Sequence, residues 1–80
     1  MDELAKLVNE AMGLRQAHQP NATVTAQIEY DGANIDYMFV VNGKVLIEVF
    51  ENDINKGMQR FKDLIMSFII HEREVLNDED

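Results

Sequence analysis

The chain is poor in the serine, cysteine and histidine side chains that most often act as nucleophiles in hydrolysis or as nitrogen and sulfur ligands of metals. The chain has one serine, Ser67, two histidines, His18 and His71, and no cysteine. Hydrolytic catalysis needs a nucleophile, a base and an orienting acid within hydrogen-bond reach, and metal sites need ligands at defined spacings. Neither histidine has a HExxH-like neighbour or a second histidine at ligand spacing. We therefore expect a protein that is not an enzyme and binds no cofactor.

The segment that begins at Glu51 has oxygen-bearing side chains at alternate positions, as a calcium-binding loop does. Such a loop carries a bidentate glutamate at its twelfth position. Counting from Glu51 gives Lys62 there, and counting from Asp53 gives Leu64. A helix cap formed by Asn52 or Asp53 explains the same residues. The sequence therefore predicts no metal site in this segment.

Acidic residues outnumber basic ones by 15 to 7, which gives a formal net charge of −8. A negative field of this size repels nucleic acid and anionic membranes and favours basic partners. No apolar run reaches the roughly 18 residues of a membrane span, and no disulfide framework is possible. We expect a cytoplasmic protein, which would lie in the cytoplasm of a host cell if a phage encodes it. We also expect a protein partner with a basic surface, and no direct contact with nucleic acid or membrane.

Two turn dipeptides, Asp31-Gly32 and Asn42-Gly43, organise the middle of the chain. Each is flanked by β-branched and aromatic residues, which is the strongest short-range signal for a β-hairpin. The two turns predict three antiparallel strands at about 22–30, 34–41 and 44–50.

Amphipathic segments lie on both sides of these strands. The first begins at Asp2 or Glu3, has apolar residues at three- and four-residue spacing, and ends before Pro20. The second comes after the third strand, runs to about Leu76, and leads into an acidic tail over 77–80. We therefore predict a single α+β domain in which a helix, a three-stranded antiparallel meander and a second helix succeed one another (αβββα), with both helices on one side of the sheet.

Two-residue loops at both turns would place Ile28 opposite Ile35, and Phe39 opposite Leu46. One face of the sheet is then a predicted core face. Its apolar residues are Val24, Ala26, Ile28, Tyr30, Ile35, Tyr37, Phe39, Val41, Leu46 and Phe50. The carboxylate of Glu48 also falls on this face, where it needs a hydrogen-bond partner because burial of a charge is costly.

The opposite face is predicted to divide into a polar part and an apolar part. Glu29 and Asp36 belong to the polar part. The apolar part consists of Met38, Val40, Val45, Ile47 and Val49. An antiparallel sheet with one solvated side should alternate cleanly between apolar and polar residues. The apolar part therefore predicts a partner, which is another segment of this chain, a second copy, or another protein.

The second helix has an apolar stripe about twice as wide as the ~100° that one sheet face requires. Met66 and Ile70 extend this stripe on one flank. We expect these two residues to contact a partner protein or a second copy in a homodimer.

The predicted order of elements resembles that of double-stranded RNA-binding domains. Such domains carry a basic stretch at the start of the last helix. At that place this chain has Lys56, Arg60 and Lys62, while acids dominate elsewhere. The resemblance implies RNA binding through these three bases.

The same outline, together with small size, strong acidity and the absence of cysteine, resembles small phage-encoded inhibitors of the anti-CRISPR type. This resemblance implies inhibition of a nucleic-acid-processing complex, such as a nuclease, by carboxylates that mimic phosphates.

We therefore expect an acidic binding protein that inhibits or regulates a protein partner. The carboxylates expected to face the partner's basic surface are Glu29, Asp31, Asp36, Glu51 and Asp53, with the acidic tail. The apolar part of the sheet would add anchors. The alternative is a homo-oligomeric structural, assembly or chaperone module whose apolar sheet and helix surfaces form the subunit interface.

Overall fold

The computed structural model describes residues 2 to 78. The elements are α1 (Glu3–Gln16), β1 (Val24–Asp31), β2 (Asn34–Val41), β3 (Lys44–Glu51) and α2 (Ile54–Asp78). The strands form one antiparallel sheet in the order β1-β2-β3. This arrangement confirms the predicted α+β class and the αβββα order.

Side-chain caps fix where both helices begin. Oδ1 of Asp2 accepts a hydrogen bond from the amide of Ala5 at 3.0 Å. Oδ1 of Asp53 accepts from the amides of Asn55 and Lys56 at 2.9 and 3.1 Å, so Asp53 caps α2 as predicted. Helix α2 extends further than expected, since the first two residues of the predicted acidic tail are helical. The other two, at 79 and 80, lie outside the described residues.

The two hairpin turns differ. Asn42 and Gly43 both have positive φ, 53° and 79°, as the predicted type I′ turn requires. In the first hairpin Gly32 has positive φ, and Asp31 pairs with Asn34, so the loop is one residue later than predicted. The predicted register of β1 was therefore wrong by two residues. Because side chains alternate with period two, this error leaves every residue of β1 on its predicted face.

The predicted register of β3 was wrong by one residue, because the strand contains a β-bulge. Val40 pairs with Val45 as predicted, but Phe39 pairs with Ile47, which leaves Leu46 as the extra residue. Every later residue of β3 lies on the face opposite to its predicted one. Ile47 and Val49 therefore belong to the core face and not to the apolar part of the other face.

Both helices pack on the core face of the sheet. The largest fully buried side chains are Tyr37, Phe39, Phe61, Ile65 and Ile69. The rings of Phe39 and Phe68 meet edge to face at 5.1 Å between centroids, an arrangement that aromatic pairs favour. Aromatic residues of β2 thus join the sheet to α2.

Tyr37 holds the start of α2 against the sheet. Its hydroxyl donates a hydrogen bond to the carbonyl oxygen of Ile54 at 3.1 Å, and its ring contacts Gly57. Burial raises the pKa of the Tyr37 hydroxyl, and the charges of Tyr30, Asp53 and Glu51 add to the increase. The fixed ring leaves no room for a side chain at position 57.

Candidate functional site

The face of the sheet that points away from both helices is called the outer face here. Strand alternation and the bulge assign its residues. They are Thr25, Gln27, Glu29, Asp31, Asn34, Asp36, Met38, Val40, Val45, Leu46, Glu48 and Phe50. In the described part of the chain, no helix packs on this face. It is therefore open to a partner.

One half of the outer face is acidic. Glu29 lies directly opposite Asp36 on the neighbouring strand, with Asp31 two residues along from Glu29. Glu48 lies opposite Met38, one diagonal step from Asp36. Of the residues assigned to the outer face, four are acidic and none is Lys, Arg or His. Carboxylates so close on adjacent strands repel one another, so a cationic group placed among them would be bound favourably.

Asp36 and Glu48 interact directly. A hydrogen bond with Asp36 raises the pKa of Glu48 above its usual value of 4.5, and the negative charge of Asp36 and loss of water add to the increase. Such a bond needs a proton, because two ionised carboxylates are both acceptors. Oδ1 of Asp36 is buried and has no hydrogen-bond donor among residues 2 to 78, so a proton on Glu48 could be donated to it. Glu48 therefore retains its proton to higher pH than a lone glutamate does.

The other half of the outer face is apolar. Val40 pairs with Val45, and the bulge turns Leu46 to the same side, next to Met38. Val45 and Leu46 are 47% and 45% exposed. Scattered apolar residues are normal on protein surfaces, but a contiguous group beside a charged rim is typical of an interaction site.

Phe50 lies outside this apolar half, at the acidic end of β3. It is opposite Asp36 and 57% exposed. An exposed aromatic ring among carboxylates can stack on a cationic side chain that the carboxylates attract. The outer face therefore combines apolar, aromatic and anionic groups.

The five carboxylates predicted to face a partner do not lie together. Glu29, Asp31 and Asp36 share the outer face. Glu51 lies opposite Ile35, toward the core side, and Asp53 is occupied as the cap of α2. The structure therefore groups three of the five and separates the other two.

Met66 and Ile70 are 40% and 48% exposed on α2, on the opposite side of the molecule from the outer face. Met66 lies in a groove between the two helices that also includes Leu7 and Lys62. One partner surface could not cover the outer face and this helix flank together. The residues predicted as a single apolar set therefore form two separate surfaces.

The three bases suggested by the RNA-binding resemblance also lie apart. Lys56 and Arg60 are one turn apart on α2, whereas Lys62 is two residues beyond Arg60 and points to a different side. The ammonium group of Lys62 forms an ion pair with Glu3 at 3.2 Å. These bases do not form one continuous phosphate-binding surface.

Sequence reasoning missed Leu46, Glu48 and Phe50, which it assigned to the core face. The available signal was Glu48 itself, because a carboxylate on a predicted core face indicates an error in register. A bulge before Glu48 moves that carboxylate to the solvent and brings Val49 into the core.

Within residues 2 to 78, no three His, Cys, Asp or Glu side chains are grouped so that they could hold a metal ion. The helices described are too short or too polar to cross a membrane. Comparisons with protein-family models, curated proteins and solved structures give no match to this chain.

Proposed function

We propose that this chain is a non-enzymatic binding protein that inhibits or regulates a protein partner, and that the outer face of the sheet contacts a basic surface of that partner. The observation that supports this proposal is the composition of the outer face, where four carboxylates adjoin exposed apolar residues and none of the strand residues assigned to it is basic. The fold is used as a rigid support for this surface, and no step of the proposed mechanism makes or breaks a covalent bond.

The spacing of the carboxylates suits a surface that normally binds phosphates. Glu29 and Asp31 are about 7 Å apart along one strand, and Glu29 and Asp36 are about 5 Å apart across neighbouring strands. Duplex DNA carries one negative charge per ~1.7 Å of its axis. A short row of carboxylates can therefore occupy a few phosphate positions. The partner we propose is a nucleic-acid-processing complex, and the protein would resemble a phage or mobile-element inhibitor of the anti-CRISPR type.

The apolar half would supply affinity that salt does not screen. Leu46 and Val45 protrude beside the acidic half and would be desolvated on binding. Buried apolar and aromatic anchors at the centre of an interface usually contribute most of its binding energy, while charges at the rim mainly raise the association rate. The two halves would thus act on different stages of one binding event.

The alternative is a homo-oligomeric assembly or chaperone module that uses its apolar sheet and helix surfaces as subunit interfaces. Exposure of Met66 and Ile70 favours this alternative for the helix flank. For the outer face, charge opposes it. Two copies stacked face to face with their strands parallel would bring Glu29, Asp36 and Glu48 of one copy against the same acidic surface of the other, and like charges repel. With their strands antiparallel, these carboxylates would lie against apolar residues of the other copy and would lose water without gaining a hydrogen-bond partner. A basic partner therefore suits the outer face better than a second copy does.

The test is a comparison of two charge reversals, Glu29→Lys on the outer face and Glu74→Lys on α2. Both residues are exposed, and both variants change the net charge equally. The wild-type protein and the Glu74→Lys variant should capture the same basic protein from a lysate of the native host cell. They should also displace nucleic acid from that protein once it is purified. The Glu29→Lys variant should lose at least about tenfold in affinity.

Equal capture by the two variants would assign binding to another surface. A captured protein that keeps its nucleic acid at saturating concentrations of the wild-type chain would contradict inhibition by competition. Folding of both variants is checked by circular dichroism before the comparison.

A further inference from the structure

The edge strand β1 lacks several of the features that keep edge strands from pairing with other chains. It has β2 on one side, and no strand among residues 2 to 78 lies on the other. Its eight residues include two acids, Glu29 and Asp31, but no proline and no basic residue, and its pairing with β2 has no bulge. Natural sheets usually protect edge strands with such features because an unprotected edge pairs with other chains. The opposite edge, β3, has both a bulge near Leu46 and a lysine, Lys44.

The backbone groups on the free edge of β1 can be identified. The carbonyl oxygen of Thr23 accepts a hydrogen bond from the amide of Asn42 at 2.9 Å, so the backbone at Thr23 faces the neighbouring strand. Hydrogen-bonding direction alternates along a strand. The residues whose amide and carbonyl groups point away from β2 are therefore Val24, Ala26, Ile28 and Tyr30.

These four residues are centred on Gln27. If a second copy pairs antiparallel along this edge with a two-fold axis at Gln27, Ala26 of each copy lies opposite Ile28 of the other. Val24 likewise lies opposite Tyr30. This register uses every outward-facing backbone group of β1, which no other two-fold register does. An isologous contact of this kind is the commonest type in soluble homodimers.

The side chains on the core side fit the same register. Val24 is only 4% exposed, whereas Ile28 and Tyr30 are 37% and 71% exposed, because α1 covers only the first part of β1. Beside the covered part is a cavity at the sheet edge. It is lined by Asp2, Leu4, Ala5, Val8, Asn9 and Ala26. Ile28 of the second copy, opposite Ala26, would enter this cavity. Helix α1 of each copy would then lie over the exposed end of the other copy's strand.

Charge also permits this register. On the outer side, Glu29 of each copy would face Thr25 of the other, and Gln27 would face its own equivalent. No carboxylate of β1 would lie directly opposite another carboxylate, in contrast to a dimer made by stacking the two outer faces.

We infer that two copies of this chain pair through their β1 strands about a two-fold axis at Gln27 and form one continuous six-stranded sheet. The outer faces of both copies would lie on the same side of this sheet and remain open, so the dimer is compatible with the proposed function and does not depend on it.

The test uses the absence of cysteine in the natural chain, which makes any introduced thiol unique. In a Gln27→Cys variant, the two thiols would lie in directly opposed residues about 4.5 Å apart at Cα, within the range for a disulfide. Mild oxidation should give a disulfide-linked dimer on a non-reducing gel. A Thr25→Cys variant is the matched control, because its thiol is exposed on the same strand and face. Its equivalent in the second copy would be about 14 Å away, too far for a disulfide.

The double variant Thr25→Cys/Glu29→Cys should recover the cross-link, since these positions would face each other between copies. Equal cross-linking of the Thr25→Cys and Gln27→Cys variants would mean that the disulfides form by random collision between monomers. This result would overturn the inference. So would a dimer detected by sedimentation in which Gln27→Cys does not cross-link, since the interface would then lie elsewhere.

Sedimentation of cysteine-free variants gives a second readout. Ile28→Asp should weaken dimerisation at least tenfold, because it places a carboxylate against Leu4, Val8 and the carboxylate of Asp2, where no cation among residues 2 to 78 lines the cavity. Leu46→Asp, a change of similar exposure on the outer face, should leave dimerisation unchanged. A wild-type chain that remains monomeric up to about 1 mM would refute the dimer. Partner capture and dimerisation are tested separately. If wild-type protein captures no partner while Gln27→Cys still cross-links, the proposed function fails and the dimer stands.

Discussion

The two faces of the sheet are made by the same three strands, yet most apolar side chains are buried on one face and exposed on the other. On the core face Tyr37 and Phe39 are fully buried, and both contact aromatic residues of α2. On the outer face Leu46 and Phe50 are about half exposed and lie near carboxylates. Apolar residues on the core face therefore contribute to the free energy of folding. Those on the outer face contribute little to it, which leaves them available for a partner.

The largest expected difference in the free energy of unfolding is between alanine substitutions of two phenylalanines on opposite faces of the sheet. Phe39→Ala should lower the free energy of unfolding by about 3–5 kcal/mol, because it opens a cavity in a closely packed core beside Phe68. Phe50→Ala should change it by less than about 1 kcal/mol, since the ring is already largely in water. Urea unfolding measured by circular dichroism gives both values.

A loss from Phe50→Ala as large as that from Phe39→Ala would show that the outer face is covered within the folded protein. A Phe39→Leu variant provides an intermediate if Phe39→Ala is too unstable to measure, because Leu fills much of the volume that Ala leaves empty.

A smaller difference in stability is expected between alanine substitutions of two glycines, one in each helix. A Cβ at Gly57 would overlap Cε1 of Tyr37, whose hydroxyl is held by Ile54, so the ring cannot move away easily. Gly57→Ala should destabilise the protein by about 1–3 kcal/mol through overpacking. A Cβ at Gly13 would meet no side chain and no other part of the backbone within 4 Å among residues 2 to 78, apart from its own turn of α1. Gly13→Ala should therefore stabilise α1 by about 0.5–1 kcal/mol.

Thermal unfolding of the two alanine variants should shift in opposite directions. Stabilisation by both would mean that Tyr37 has an alternative position, and the tight contact between β2 and α2 would then not be a constraint on this fold.

The fold was predictable from the sequence where the determining interactions are local. Asn42-Gly43 fixes its turn because both residues tolerate positive φ, and the cap at Asp53 depends on amides two and three residues away. The bulge at Leu46 is different, because nothing local requires it. The rest of β3 favours it, since the bulge places Ile47 and Val49 against the core and releases Glu48 from it. The position of the bulge therefore depends on packing between β3 and α2.

The residues of the candidate site were likewise predictable where local strand alternation determines their face, and not beyond the bulge. Glu29 and Asp36 can be assigned from strand alternation alone, which a two-residue error in register does not disturb. Glu48 and Phe50 come after the bulge, so alternation placed them on the wrong face. Alternation is reliable only up to the first irregularity in a strand.

The smallest expected effect is on how the free energy of unfolding changes with pH, through the carboxylates of the outer face. The hydrogen bond with Asp36 raises the pKa of Glu48, so the folded state binds this proton more tightly than the unfolded chain does. The stability contributed by the protonated pair is present below the ordinary pKa of 4.5 and is lost as pH rises through the raised pKa. A Glu48→Gln variant replaces the protonated carboxyl group by an amide, which donates a hydrogen bond to Asp36 at every pH.

The free energy of unfolding, measured by urea at a series of pH values, should therefore fall less steeply for Glu48→Gln than for the wild-type protein as pH rises above 4.5. Glu74→Gln on α2, an exposed carboxamide substitution on the other side of the molecule, should keep the wild-type slope. Parallel curves for all three proteins would mean that Asp36 and Glu48 do not share a proton. The acidic half of the outer face would then carry its full negative charge at every pH above the range in which carboxyl groups ordinarily titrate, and a basic partner would meet the same surface throughout that range.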